Sequence, residues 1–214
     1  MKKIVFIAVL GFASLISNAQ MRYRDSNRIG ITVGVNQFDL ATNNFATNPE
    51  IGWNLGLSIR GNFYNDFDMV YAMQFSENKF SVPTLNAAFQ KEDVSFKLPS
   101  AQISLLLSYK IVENHLSIEA GPMIQINDKF SIDEDANKTN SIVNTALQAQ
   151  DILKISRFNF YPTVGITAGV RHVRLNVQYQ YGVTNILGKL NENNPTQSFK
   201  GHAGILSGNI IFYL

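Results

Sequence analysis

Few residues in this 214-residue chain have the types and spacing to do chemistry. It has three histidines, His115, His172 and His202, and no cysteine. Imidazole serves as a metal ligand and general base, but a metal site needs converging ligands. The strand pattern set out below puts His115 and His172 in short turns remote from His202, so no metal or cofactor site is expected. The run His115-Leu116-Ser117-Ile118-Glu119 is the sharpest enzymatic arrangement. Alternate residues of a strand share a face, so a base would stand next to a hydroxyl, as nucleophile activation demands. Asp133, Asp135 and Asn137 have the spacing that opens a calcium loop. Lys138 stands where the turn glycine belongs and Asn144 where the bidentate glutamate belongs, which favours a solvated acidic loop. Glycines recur at strand spacing, not between a strand and a helix, so they form no phosphate cradle. Their expected role is to let side chains crowd past one another in a narrow barrel.

The elements that would position these residues are strands. Apolar and polar residues alternate with period two in segments of about ten residues, the length of a tilted membrane-crossing strand. Eight such segments are expected, at 28–38, 51–60, 67–76, 102–110, 116–125, 158–170, 173–184 and 203–214. The second is the clearest, with Ile51, Trp53, Leu55, Leu57 and Ile59 against Gly52, Asn54, Gly56, Ser58 and Arg60. Pro122 and Pro162 fall inside two of the segments, where a missing N–H predicts a bulge or an early end of pairing. Connections alternate long and short: 39–50, 62–66, 77–98, 112–115, 127–157, 171–172 and 187–202. Together these predict an all-β, eight-stranded antiparallel up-and-down transmembrane barrel. Long loops would be extracellular, and the turns and both termini periplasmic.

Polarity separates a membrane barrel from a soluble one. The polar face is mostly Gly, Ser, Thr, Asn and Gln, whereas a water-facing surface is rich in Lys and Glu. Aromatics such as Trp53, Phe75, Tyr109, Phe158, Tyr179 and Phe212 gather toward strand ends, as interfacial girdles require. Charged residues make up only 16% of the chain against about 25% in an ordinary soluble domain, so something other than water covers part of the surface.

The first residues read as a secretory signal peptide: Lys2 and Lys3, an apolar run from Ile4 to Ile16, then Ser17-Asn18-Ala19-Gln20. That run is too short for the roughly 20 residues of a spanning helix, so cleavage between Ala19 and Gln20 is expected. This divides the chain into a signal peptide, 1–19, and one barrel domain, 20–214. Loss of Lys2 and Lys3 takes the basic count from 18 to 16, equal to the 16 acidic residues, which leaves no basic patch for nucleic acid. Without cysteine there is neither a disulfide framework nor a thiol for a lipid anchor.

The first strand, Ile29-Gly30-Ile31-Thr32-Val33-Gly34-Val35-Asn36, the segment Asn18-Ala19-Gln20 and the aromatic final strand resemble PorT-type outer-membrane β-barrel proteins. The resemblance spans the whole mature chain and implies an eight-stranded barrel of OmpA-type architecture. For the family's name-giving member it implies a part in secretion across the outer membrane. The chain ends in Leu214, not in the phenylalanine of many such barrels. The His115-x-Ser117 spacing in turn resembles outer-membrane lipid A deacylases, which makes a lipid-modifying enzyme the alternative to a non-enzymatic barrel with a structural or docking role. Such chemistry works at the outer leaflet, whereas the topology puts His115 near the periplasm.

Arg60, Asp68, Lys110, Glu119 and Arg174 fall on the polar face toward the short-turn end. A lumen of eight strands is filled by side chains, so these five are expected to form a buried charge network with Arg60–Asp68 as its central pair and no open pore. The barrel should be monomeric, with outer-membrane lipid as its surroundings. The longest connection, 127–157, exceeds what joining two strands needs and should be partly folded. Ser141 could cap a short helix carrying Ile142, Val143, Ala146, Leu147, Ala149, Ile152 and Leu153 as an apolar stripe. That stripe would either fold over the barrel mouth or receive a protein partner.

Overall fold

Successive strands of alternating polarity pair with their neighbours until the last meets the first. The computed structural model describes residues 27–193 and 198–214, so the signal segment and its cleavage site at Ala19 and Gln20 lie outside the described residues. Eight long strands form the ring: β1 (Arg28–Thr42), β2 (Asn48–Tyr64), β3 (Phe67–Leu85), β4 (Lys91–Val112), β5 (Leu116–Asn127), β8 (Phe158–Gly169), β9 (Val173–Tyr181) and β10 (Gly201–Tyr213). Every neighbouring pair is antiparallel, and β10 closes on β1 from Gly30↔Tyr213 to Thr42↔Gly201, leaving no open edge around the ring.

The wall faces apolar outward. Leu55, Leu57, Ile103, Leu105, Ile166 and Leu175 are all exposed on the outer surface, while Thr32, Asn54, Gln102, Glu119, Thr167 and Asn209 are buried inside. A belt of this kind is stable only where lipid takes the place of water. Close approach explains several of the glycines. A methyl added at Gly34 would collide with the Asn209 carboxamide and the Gly208 carbonyl oxygen, and one at Gly56 with Gln74.

The first four strands extend well past the lengths expected from alternation, while β9 stops at Tyr181, short of the expected 184. The connection expected at 77–98 is instead a projecting hairpin, paired without interruption from Phe67↔Tyr109 to Leu85↔Lys91 and turned by residues 86–90 alone. The reason is a change of solvent. Up to Phe75 the large apolar residues Tyr71, Met73 and Phe75 point outward, with Val70 and Ala72 inside, whereas above it Phe80 and Val82 point inward and Glu77 and Lys79 outward. Val94, Phe96 and Leu98 do the same on β4, as do Phe38 and Leu40 on β1. Outside the bilayer the apolar side must turn away from water, so this part of the barrel has an internal core like that of a soluble protein.

The segment 127–157 is folded, but not as a helix begun at Ser141. Ser141–Ile142 forms β7 and pairs with Thr84 and Leu85 on one edge of the projecting hairpin, while Ser131–Ile132 forms β6 and pairs with Phe96 and Lys97 on the other. Two short 3-10 turns, Asp135–Thr139 and Ala149–Leu153, complete it. β-Branched Ile142 and Val143 gain more from an open sheet edge than from helical spacing. The cap sits later, where the Asp151 carboxylate accepts from the Gln148 N–H at 2.8 Å.

The two prolines interrupt pairing, as expected, but without a bulge. Pro122 and Pro162 lie directly opposite each other, and the β5–β8 register runs through them without a bulge. Pairing lapses on their other sides instead. No β4–β5 pairs form between Ser104↔Met123 and Leu107↔Ala120, and the β8–β9 ladder stops at Thr163↔Gln180. Facing prolines keep both missing donors off the ladder they share.

Candidate functional site

The lumen holds the chain's buried polar chemistry, and it divides into two halves. Toward the short turns, Arg60 on β2 is the hub. Its Nη1 lies 3.2 Å from Asp68 Oδ2 and donates to Ser108 Oγ at 2.8 Å, while its Nη2 contacts Glu119 Oε1. Lys110 Nζ stands 3.4 Å from Asp68 Oδ1, and Asn176 Nδ2 donates to Glu119 Oε2 at 3.2 Å. The amide chain continues through Asn176 Nδ2 to Thr167 Oγ1 at 2.8 Å and from Asn209 Nδ2 to Asn176 Oδ1 at 3.0 Å. Buried ions are tolerable only when paired and hydrogen-bonded, and these carboxylates have several donors each.

Four of the five expected residues, Arg60, Asp68, Lys110 and Glu119, are thus brought together. Arg174 is not joined to them by an ion pair. It is 3% exposed, its Nε has no hydrogen-bond partner, and its Cζ lies 6.0 Å from the centre of the Tyr213 ring. Ser108, Asn176 and Tyr213 were not singled out in the sequence, because neutral polar residues on an inward face carry no signal of which charge they will meet. Their only sequence signal is parity with Arg60, Glu119 and Arg174.

Arg28 closes this end. It starts β1, and its Nη2 donates to Asn114 Oδ1 at 2.8 Å while Nη1 donates to the Arg171 carbonyl at 3.2 Å. Asn114 belongs to the β4–β5 turn and Arg171 to the β8–β9 turn. One side chain therefore ties three parts of the rim.

The long-loop half is packed with apolar side chains. Phe80 and Phe96 stack at 5.2 Å, Phe130 meets Phe80 edge-on at 4.9 Å, and Phe38 approaches Phe80 at 5.7 Å. Ile142, Ala149, Ile152 and Ile155 of the 127–157 segment are buried in the same cluster, with Tyr161, Ile186, Leu187 and Phe199. Most of the apolar stripe of that segment therefore packs over the mouth, with Val143 half-buried and Ala146 exposed, and the face it presents outward is mainly polar.

The enzymatic arrangement at 115–119 is not assembled. Ser117 and Glu119 point into the lumen and are buried. His115 is exposed in the turn, its Nδ1 2.8 Å from the Glu113 carbonyl oxygen, and Ser117 Oγ has no partner among the described residues. His172 Nδ1 sits 3.2 Å from the Tyr213 carbonyl oxygen at the short-turn end, and His202 stacks on Tyr181 at 6.1 Å at the other. Among the described residues no group of three or more His, Asp and Glu side chains could hold a metal ion. The acidic loop is occupied by lysines: Asp133 lies 2.7 Å from Lys97 Nζ, and Asp135 lies 2.5 Å from Lys138 Nζ. The hydrogen bond from Lys138 holds the Asp135 carboxyl below its ordinary value.

Comparison with known proteins agrees with this geometry. A family model described as "Outer membrane protein beta-barrel domain" matches residues 18–188. Among solved structures, Neisserial surface protein A aligns at 15% identity over 86% of this chain and 96% of its own, with a TM-score of 0.50. Ail, the attachment invasion locus protein of Yersinia pestis, aligns at 12% identity over 88% and 99%, with a TM-score of 0.49. OprG of Pseudomonas aeruginosa aligns at 10% identity over 88% and 93%, with a TM-score of 0.41. At these identities the likeness is one of fold. No curated protein matches the chain in sequence.

Proposed function

The chain belongs to the outer membrane protein beta-barrel domain family, and on that premise we propose that it is a non-enzymatic barrel displaying a rigid docking platform for a protein partner. The platform is the long-loop end, which faces the cell exterior, while the short turns and both termini face the periplasm. The observation that carries this reading is the filled lumen. An ion network at one end and an aromatic core at the other occupy the lumen, and the core's effect is to fix the projecting hairpin. At the hairpin's tip Phe89 is 85% exposed with φ 57°. Asn86 Oδ1 holds the turn by accepting from the N–H groups of Ala88 and Gln90 at 2.9 and 3.0 Å. Holding a bulky residue in the left-handed region is costly, and pre-organised aromatic anchors are what binding surfaces use. The polar outer side of the 127–157 segment flanks this tip through β6 and β7.

The absence of cysteine makes the test clean. Phe89→Cys should react with a membrane-impermeant maleimide on intact cells, whereas Asn65→Cys, in the β2–β3 turn, should react only after the outer membrane is permeabilised. The reverse pattern rejects the orientation. A photo-crosslinker at position 89 should then yield one discrete protein adduct, and its absence rejects the docking role. The narrower PorT-type reading, accessory to secretion across the outer membrane, rests on residues 29–36 and the aromatic final strand. Unchanged secretion in a deletion strain would remove it.

A further inference from the structure

We propose that Arg174 holds a small inorganic anion of the halide class inside the short-turn half of the lumen. A guanidinium cannot shed its proton, so a buried one must find negative charge or remain costly. Arg174 is 3% exposed, makes no hydrogen bond or ion pair with any described residue, and has a buried Nε with no acceptor. Both lumenal carboxylates are already committed. Asp68 is shared by Arg60 and Lys110, and Glu119 by Arg60, Ser108 and Asn176. Arg60 takes up both carboxylates, and Lys110, half-buried at the rim, shares Asp68, so neither carboxylate is left to pair directly with Arg174.

Donors for an anion are also present. The register places Arg174, Ile211 and Thr32 in one row across β9, β10 and β1, all facing inward. Thr32 Oγ1 in that row, and Ser58 Oγ and Ser117 Oγ elsewhere on the lumenal wall, are buried hydroxyls without partners. Water could satisfy the hydroxyls and hydrate the guanidinium but would not neutralise it. The Arg28 strap across the rim and the filled lumen above favour a small ion over a larger organic anion.

Two measurements test the site. Crystals of the purified protein grown in bromide should show an anomalous peak in contact with the Arg174 guanidinium. A map with only water, or a protein carboxylate, at that position overturns the proposal. In detergent, the unfolding midpoint should rise saturably with chloride when ionic strength is held constant with gluconate. Arg174→Met should weaken that halide response about tenfold or more, the scale of one lost charge-assisted contact. An unchanged response in Arg174→Met also overturns it. If that variant does not fold, the wild-type bromide map decides.

Discussion

Arg28 Nη2 and Asn114 Oδ1 meet at 2.8 Å although their strands stand on opposite sides of the ring, β1 and the turn that begins β5. The contact can form only in a closed barrel, because in a flat sheet the same residues lie four strands apart. Arg28→Ala should therefore lower stability by about 1.5–3 kcal/mol, the range for hydrogen bonds involving a charged group. Urea titration of the folded barrel in micelles would measure this, and an unchanged midpoint would mean that the strap contributes nothing to closure.

Arg60 should behave as the keystone of the ion network. Removing it in Arg60→Ala leaves Asp68 and Glu119 buried with reduced compensation, a loss of about 3–5 kcal/mol. Combining Arg60→Met with Glu119→Gln should recover part of that loss, because the second change removes the stranded charge. A double variant as unstable as the sum of its parts would show that the two residues act independently.

The filled lumen predicts electrical silence. Purified protein in planar bilayers should show no sustained single-channel openings, because the Phe80, Phe96 and Phe130 cluster blocks one half and the Arg60 network the other. Steady conductance from wild-type protein would contradict both.

The cap shares the aromatic core of the long-loop half but is joined to the wall by only two short strand pairings, so it should loosen before the membrane-spanning barrel does. Ile152 is fully buried there, and Ile152→Ala should cost about 2–5 kcal/mol of local stability. The expected result is protease cleavage within 127–157 while the remaining barrel keeps its heat-modifiable mobility on gels. Loss of insertion would mean that the cap and the barrel fold as one unit.

Two glycines on neighbouring strands should respond differently. Gly34→Ala forces a methyl against Asn209 and the Gly208 carbonyl, overpacking that costs about 1–3 kcal/mol. Gly208→Ala points into open space, with nothing within 4 Å of the added carbon. It should change stability by no more than about 0.5 kcal/mol. Thermal unfolding of the two variants side by side would separate crowding from any general effect of β propensity.

Alternation by itself determined the wall of this protein: which strands exist, that apolar residues face out along Ile51 to Ile59, and that Arg60, Asp68, Lys110 and Glu119 share the inside. Period two is a local property, and membrane lipid rewards it strand by strand. Even the projecting hairpin left a readable trace, since Phe80, Val82, Val94 and Phe96 alternate with their phase inverted relative to Phe75 and Ile103. What only the tertiary structure decided depends on closure. Whether Ser141 begins a helix or a strand was settled by the free edge that Thr84 and Leu85 offer, and no local propensity encodes that edge. Arg174 shares its face with the other charges, yet both carboxylates were taken by Arg60 and its neighbours, because side-chain reach across a closed ring depends on register around its whole circumference. Arg28 found Asn114 for the same reason: strands far apart in sequence become opposite walls of one narrow space only when β10 pairs with β1.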